Sequence, residues 1–68
     1  MNGTVRIIFT REGLIAENTD GVASFSAAGL TLRADGGAVS VEGESLVIVS
    51  MEDGTVTVSG KIRSVCFM

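Results

Sequence analysis

The sequence contains no proline, histidine, tryptophan or tyrosine, and its one cysteine is Cys66. Without histidine there is no His-based catalytic triad, and no side chain that normally titrates near neutral pH. One thiol and no imidazole leave no ligand set for zinc. A lone cysteine excludes a disulfide within one chain, so the staple that small domains often need must come from elsewhere. Phe9, Phe25 and Phe67 are the only aromatics, which leaves few platforms for stacking bases or sugars. Five basic residues are scattered singly among eight acidic ones, for a net charge of −3. Nucleic acid is therefore not an expected partner, because a phosphate backbone calls for a clustered basic face. No apolar run approaches the twenty or so residues of a transmembrane segment. The opening Met-Asn-Gly-Thr-Val-Arg lacks the apolar region of a signal peptide. These features point to a cytoplasmic chain.

At 68 residues the chain reads as one domain, residues 1–68. Ordering costs about 1.5 kcal/mol per residue, a sum that apolar burial in so short a chain only about matches. With disulfide and metal both set aside, homo-oligomerisation is the expected staple.

What the chain does hold is alternation. Val, Ile and Thr dominate, and no stretch repeats every 3.6 residues, which favours strands. Asp20-Gly21, Asp35-Gly36 and Asp53-Gly54 mark turns. One pattern occurs twice: Gly37-x-Val39-x-Val41-x-Gly43 returns seventeen residues later as Gly54-x-Val56-x-Val58-x-Gly60. The expected fold class is all-β, a small antiparallel β-sandwich of about seven to eight short strands. These cover 5–10, 14–17, 22–26, 30–34, 39–42, 46–50, 55–59 and 61–68. A short β-solenoid, with the repeat as two coils stacking into filaments, is the alternative.

Val39, Val41, Val56 and Val58 are expected to face inward, with Ser40, Glu42, Thr55, Thr57 and Ser59 outward. A bulge near Arg63-Ser64 would bring Ile62, Val65 and Phe67 to one face. Leu46 to Ser50 is apolar on both faces, the mark of a strand covered on both sides. Ile8, Val47 and Val49 therefore define a second apolar surface. It belongs either to the other sheet of a sandwich or to an interface with another molecule.

Candidate chemistry is thin. Gly54 to Lys61 is one residue too long for a phosphate-binding loop, and Ile62 stands where a magnesium-binding hydroxyl is required. The pairs Glu42/Glu44 and Glu52/Asp53 lie at turns, where solvation is the ordinary state; glycoside hydrolysis needs one carboxyl in a cleft that raises its pKa. Calcium needs six to eight oxygens, which these turns do not assemble. Cys66 reads as a small buried hydrophobe, with no base to activate it. Asn2-Gly3-Thr4 matches the glycosylation sequon by chance. The short chain and few aromatics leave little room for a ligand cavity. No catalytic, cofactor-binding or metal-ligating residue is assigned, and the chain is expected not to be an enzyme.

Several residues in order carry a resemblance: Glu17-Asn18, Gly21-Val22 and Phe25-Ser26, then Leu30 and Leu32. Gly37-x-Val39-x-Val41-x-Gly43 and Leu46-x-Ile48 follow, then Val58-Ser59-Gly60-Lys61-Ile62, Val65 and Phe67. From Arg6 to Phe67 the chain resembles the YabP/YqfC family of sporulation proteins, closer to the YqfC side. The resemblance implies a compact β-sandwich domain without catalytic residues, made in the mother cell and linked to building the spore envelope and coat. It implies a structural or assembly role through protein contacts, with itself or with another spore-envelope protein. Family members usually carry a further segment before the first strand, whereas here that strand begins almost at Met1.

Overall fold

The computed structural model describes residues 5–34 and 36–67. Its six strands are β1 (Arg6–Phe9), β2 (Gly13–Glu17), β3 (Val22–Ser26), β4 (Gly29–Ala34), β5 (Gly37–Glu52) and β6 (Thr55–Phe67). They form one sheet in the order β1-β2-β6-β5-β4-β3, and every neighbouring pair is antiparallel. The all-β antiparallel class is thus present, and the solenoid alternative is not, because solenoid coils stack in parallel register. Six strands replace the seven or eight expected. Gly43 and Gly60, which read as chain breaks, are bulge-region positions inside two long strands. The turn at Asp35 and the sequon Asn2-Gly3-Thr4 lie outside the described residues.

The long β5–β6 hairpin closes on Asp53-Gly54. Both residues have positive φ, 53° and 77°, as a two-residue type I′ turn requires, and its twist matches that of the strands it joins. The ladder below the turn is interrupted between Glu42 and Gly43, between Glu44 and Val47, and between Ile48 and Ser50. At the middle of this run Ser45 has φ 56° and Gly60 φ 127°. Bulges bend and twist a strand pair, and here they divide the sheet into two halves. The β1-side half holds β1, β2, β5 from Leu46 and β6 up to Ser59. The β3-side half holds β3, β4, β5 up to Glu44 and β6 from Lys61.

A flat sheet would leave one apolar face bare. Leu14, Leu32 and Val41 are nevertheless 0% exposed, and no helix or second sheet is present among the described residues. The sheet therefore covers itself, its two halves facing each other as the layers of a sandwich with open edges. The radius of gyration, 10.6 Å, matches the roughly 11 Å of a compact chain of this length. One core joins both halves: Leu14, Ala16, Val56 and Val58 from one, Leu30, Leu32, Val39 and Val41 from the other, and Leu46 at the bend.

The seventeen-residue repeat has a structural meaning, because the two halves use the same pairing scheme. Leu14 lies opposite Val58 and Ala16 opposite Val56; Leu30 lies opposite Val41 and Leu32 opposite Val39. Ile48 opposite Val58 matches Val65 opposite Val41. Phe9 opposite Leu14 matches Phe25 opposite Leu30. The amide of Gly60 donates to the Glu12 carbonyl at 2.7 Å, and that of Gly43 to the Ala28 carbonyl at 3.0 Å.

The link from β2 to β3 joins the halves. Thr19 is buried, and both its amide (2.9 Å) and its hydroxyl (3.0 Å) donate to the Gly54 carbonyl. The Asp20 amide then donates to the Arg33 carbonyl at 2.7 Å. Thr19→Val keeps the shape and removes the hydroxyl, so a loss of about 1 kcal/mol in urea unfolding is expected. An unchanged midpoint would show that the amide alone holds this crossing.

Candidate functional site

Alternation along the strands gives each half an outer face, and the shared pairing scheme allows these faces to be compared position by position. On the β1-side half one row runs Ile8, Ile15, Thr57, Ser50 across four strands. On the β3-side half the matching row runs Ser24, Thr31, Ser40, Cys66. The next rows are Gly13, Ser59, Val47 and Gly29, Glu42, Ser64. Ile8, Ile15 and Val47 thus stand where the other half has Ser24, Thr31 and Ser64. The same local fold is built with hydroxyl residues at these positions, so the fold itself does not demand the apolar ones.

Ile8 and Ile15 are half-buried, but Val47 is 54% and Val49 61% exposed. Leu46 to Ser50 is not covered on both sides within the subunit, which removes the reading that places Val47 and Val49 between two sheets of one chain. Ile8 shares their face but lies three strands away, about 14 Å at ordinary strand spacing. Ile15 extends the surface and is not among the residues singled out from the sequence; Met51, opposite buried Val56, lies on the inner side at the exposed end of β5. Ile15 had a legible signal, the both-faced run Leu14-Ile15-Ala16; the exposure of Met51 follows from topology alone. β4 pairs with β5 only between Gly37 and Glu42, so beyond Leu46 the far side of β5 has no strand beside it.

Elsewhere the outer surface is polar and open. A groove of about 470 Å³ on the β3-side half is lined by Ser24, Ser26, Thr31, Ser40, Glu42 and Arg63, with Gly29 and neighbouring backbone. A second, of about 410 Å³, lies by Asp20, Glu52, Asp53 and Gly54. Arg63 is held by Glu44. Arg6 lies 3.9 Å from Glu17, with Arg6 largely and Glu17 partly solvated, a geometry that contributes little to stability. The acids Glu42, Glu44, Glu52 and Asp53 are all exposed. Among the described residues no three His, Cys, Asp or Glu side chains converge as metal ligands, and no helix is long and apolar enough to cross a membrane.

Two expectations at the C-terminal strand change. Cys66 is exposed rather than buried, because its place opposite Ser40 puts it on the outer face. The bulge is present: Glu42 pairs with Ser64 and Gly43 with Ile62, leaving Arg63 as the extra residue. Ile62 and Val65 pack on the core as expected, whereas Phe67, opposite Val39, is 60% exposed at the open margin.

Comparison with known proteins gives one match: the model of the family described as the YabP family matches residues 4–68. No curated protein and no solved structure matches the chain.

Proposed function

The chain belongs to the YabP family, and from that membership we propose that it is a non-enzymatic sporulation protein with a structural role, assembling the spore envelope or coat through protein contacts. Its place of action on this reading is the mother cell or the developing envelope. The observation that carries the assembly role is the inequality of the two outer faces. Ile8, Ile15 and Val47 occupy positions where the matching half of the same fold has Ser24, Thr31 and Ser64. Apolar side chains on an outer face that the fold does not require, Val47 exposed and Ile8 and Ile15 half-buried, mark a surface that meets another protein. The absence of histidine and the solvated state of the turn carboxylates support a role without catalysis.

The test exchanges one face for the other. Ile8→Ser, Ile15→Thr and Val47→Ser together give the β1-side face the residues that the β3-side face already tolerates. The triple variant is expected to retain the far-ultraviolet circular dichroism of a folded β-protein. In the spore former that carries this chain, it is expected to lower heat- and lysozyme-resistant spore counts to those of a strain lacking the protein. Wild-type counts from a folded triple variant would sink the assembly reading.

A further inference from the structure

We propose that Asp53 is a site of spontaneous backbone isomerisation, where its peptide bond to Gly54 passes through a cyclic succinimide to an isoaspartyl bond. In the first step the Gly54 amide nitrogen attacks the side-chain carboxyl carbon of Asp53. A new C–N bond closes the imide ring, and the amide proton leaves with the carboxyl hydroxyl as water. Water then adds back to the ring. Opening at the side-chain carbonyl restores aspartate, whereas opening at the main-chain carbonyl routes the chain through the side-chain methylene. No electrons are exchanged, and solvent is the only co-reactant. The reaction is favoured by a following residue without a side chain, by an amide nitrogen not engaged as a donor, and by freedom to turn about the aspartate Cα–C bond.

Two of the three Asp-Gly pairs lie within the described residues, and the fold treats them differently. The Asp20 amide donates to the Arg33 carbonyl at 2.7 Å, and the Arg33 amide donates to the Gly21 carbonyl at 2.8 Å. These bonds clamp the chain on either side of the Asp20 Cα–C bond. The Gly21 amide, the nucleophile this site would need, donates to the Thr19 hydroxyl at 3.4 Å. At Asp53 the ladder closes with Glu52 opposite Thr55, so both turn residues lie beyond it. The second residue of such a turn points its amide away from the ladder, and among the described residues the Gly54 amide meets no acceptor. Asp53 is exposed and borders the open groove of about 410 Å³, which leaves room for its side chain to fold back on the main chain. The product matters because the Gly54 carbonyl receives both Thr19 bonds. An isoaspartyl bond inserts one carbon into the main chain just before Gly54. The pair of φ values 53° and 77° then no longer closes the hairpin, and the crossing between the two halves loses its anchor.

Ageing the full chain at neutral pH and physiological temperature tests this, with one sample folded and a parallel one in urea. Electron-transfer fragmentation, which breaks the Cα–Cβ bond of isoaspartate and not that of aspartate, quantifies each site. In urea Asp20 and Asp53 should convert at similar rates, since both precede glycine. In the folded protein conversion at Asp53 should exceed that at Asp20 several-fold. Asp53→Glu, whose longer side chain must close a larger ring, should abolish conversion at that position and leave Asp20 as it was. The modified fraction, separated by chromatography, should unfold at lower urea than the unmodified fraction of the same sample. Equal conversion of the two sites in the folded protein, or none at Asp53 while the urea sample converts, overturns the site. A modified fraction with an unchanged midpoint overturns the loss of the crossing. The assembly reading stands or falls separately, on the spore counts of the face-exchange variant.

Discussion

Gly43→Ala is expected to cost about 4 kcal/mol, a large share of the stability of the whole fold. A Cβ at this position would lie 2.0 Å from the carbonyl oxygen of Lys61 and 3.0 Å from a methyl of Leu46. Leu46 could turn aside, but the Lys61 carbonyl is backbone of the neighbouring strand, and Gly43 is paired there with Ile62. Relief requires the two long strands to separate where the sheet bends. That disturbs Leu46 and the Gly43 amide bond to Ala28 as well. Steric insertion into a packed site costs about 1–3 kcal/mol and sometimes more, and disruption of the bend adds to it, for a total of about 4 kcal/mol. A domain of this size has only about 3–10 kcal/mol in all. Gly36→Ala is the comparison: Gly36 has φ +84°, but a Cβ there meets nothing within 4 Å. Only the left-handed backbone penalty applies, about 1–2 kcal/mol. Urea titration followed by circular dichroism reads both, since the chain has no tryptophan to report by fluorescence. A Gly43→Ala protein within 1 kcal/mol of wild type would mean that the bend relaxes freely.

Gly43 also shows why part of the fold was legible in the sequence and part was not. Alternation encodes local facing directly, so the inward valines at 39, 41, 56 and 58 and the outward Thr57 and Ser59 could be assigned before any coordinates. The change of phase after Gly43, from apolar Val39 and Val41 to apolar Leu46 and Ile48, is equally visible in the sequence. What it means is not, because a glycine with a parity change serves a turn and a bulge alike. Only the ladder from Gly43 to Ile62 shows that the strand continues. The repeat had the same ambiguity. Two copies of Gly-x-Val-x-Val-x-Gly fit stacked coils or two facing halves, and the difference lies in which strand each copy pairs with, a long-range fact. For the surface residues, Val47 and Val49 were marked by apolarity on both faces of a strand, but their exposure follows from β4 ending its pairing at Glu42. Cys66 went wrong for a related reason. The bulge at Arg63 sets the phase of the last strand, and with Val65 inward Cys66 must point out.

Leu14→Ala and Leu30→Ala are expected to cost nearly the same, although they lie on different hairpins. Leu14 is 0% and Leu30 3% exposed. Each faces a valine of the repeated motif on one side, Val58 or Val41, and a phenylalanine of its own hairpin on the other, Phe9 or Phe25. Truncating a buried leucine costs about 2–5 kcal/mol, and the spread reflects how far the site can collapse. Matching surroundings should collapse to a similar degree, so the two costs should agree within about 1 kcal/mol. The equality has a physical basis beyond local likeness. Each half has its inner face covered only by the other, and neither can keep its leucines dry alone. A defect in either hairpin is therefore charged against the same cooperative transition, which should remain single and identical at all far-ultraviolet wavelengths. A large cost at Leu14 with a small one at Leu30, or two separated transitions, would show that one half holds together without its counterpart. The shared pairing scheme would then describe connectivity without describing the energetics of the core.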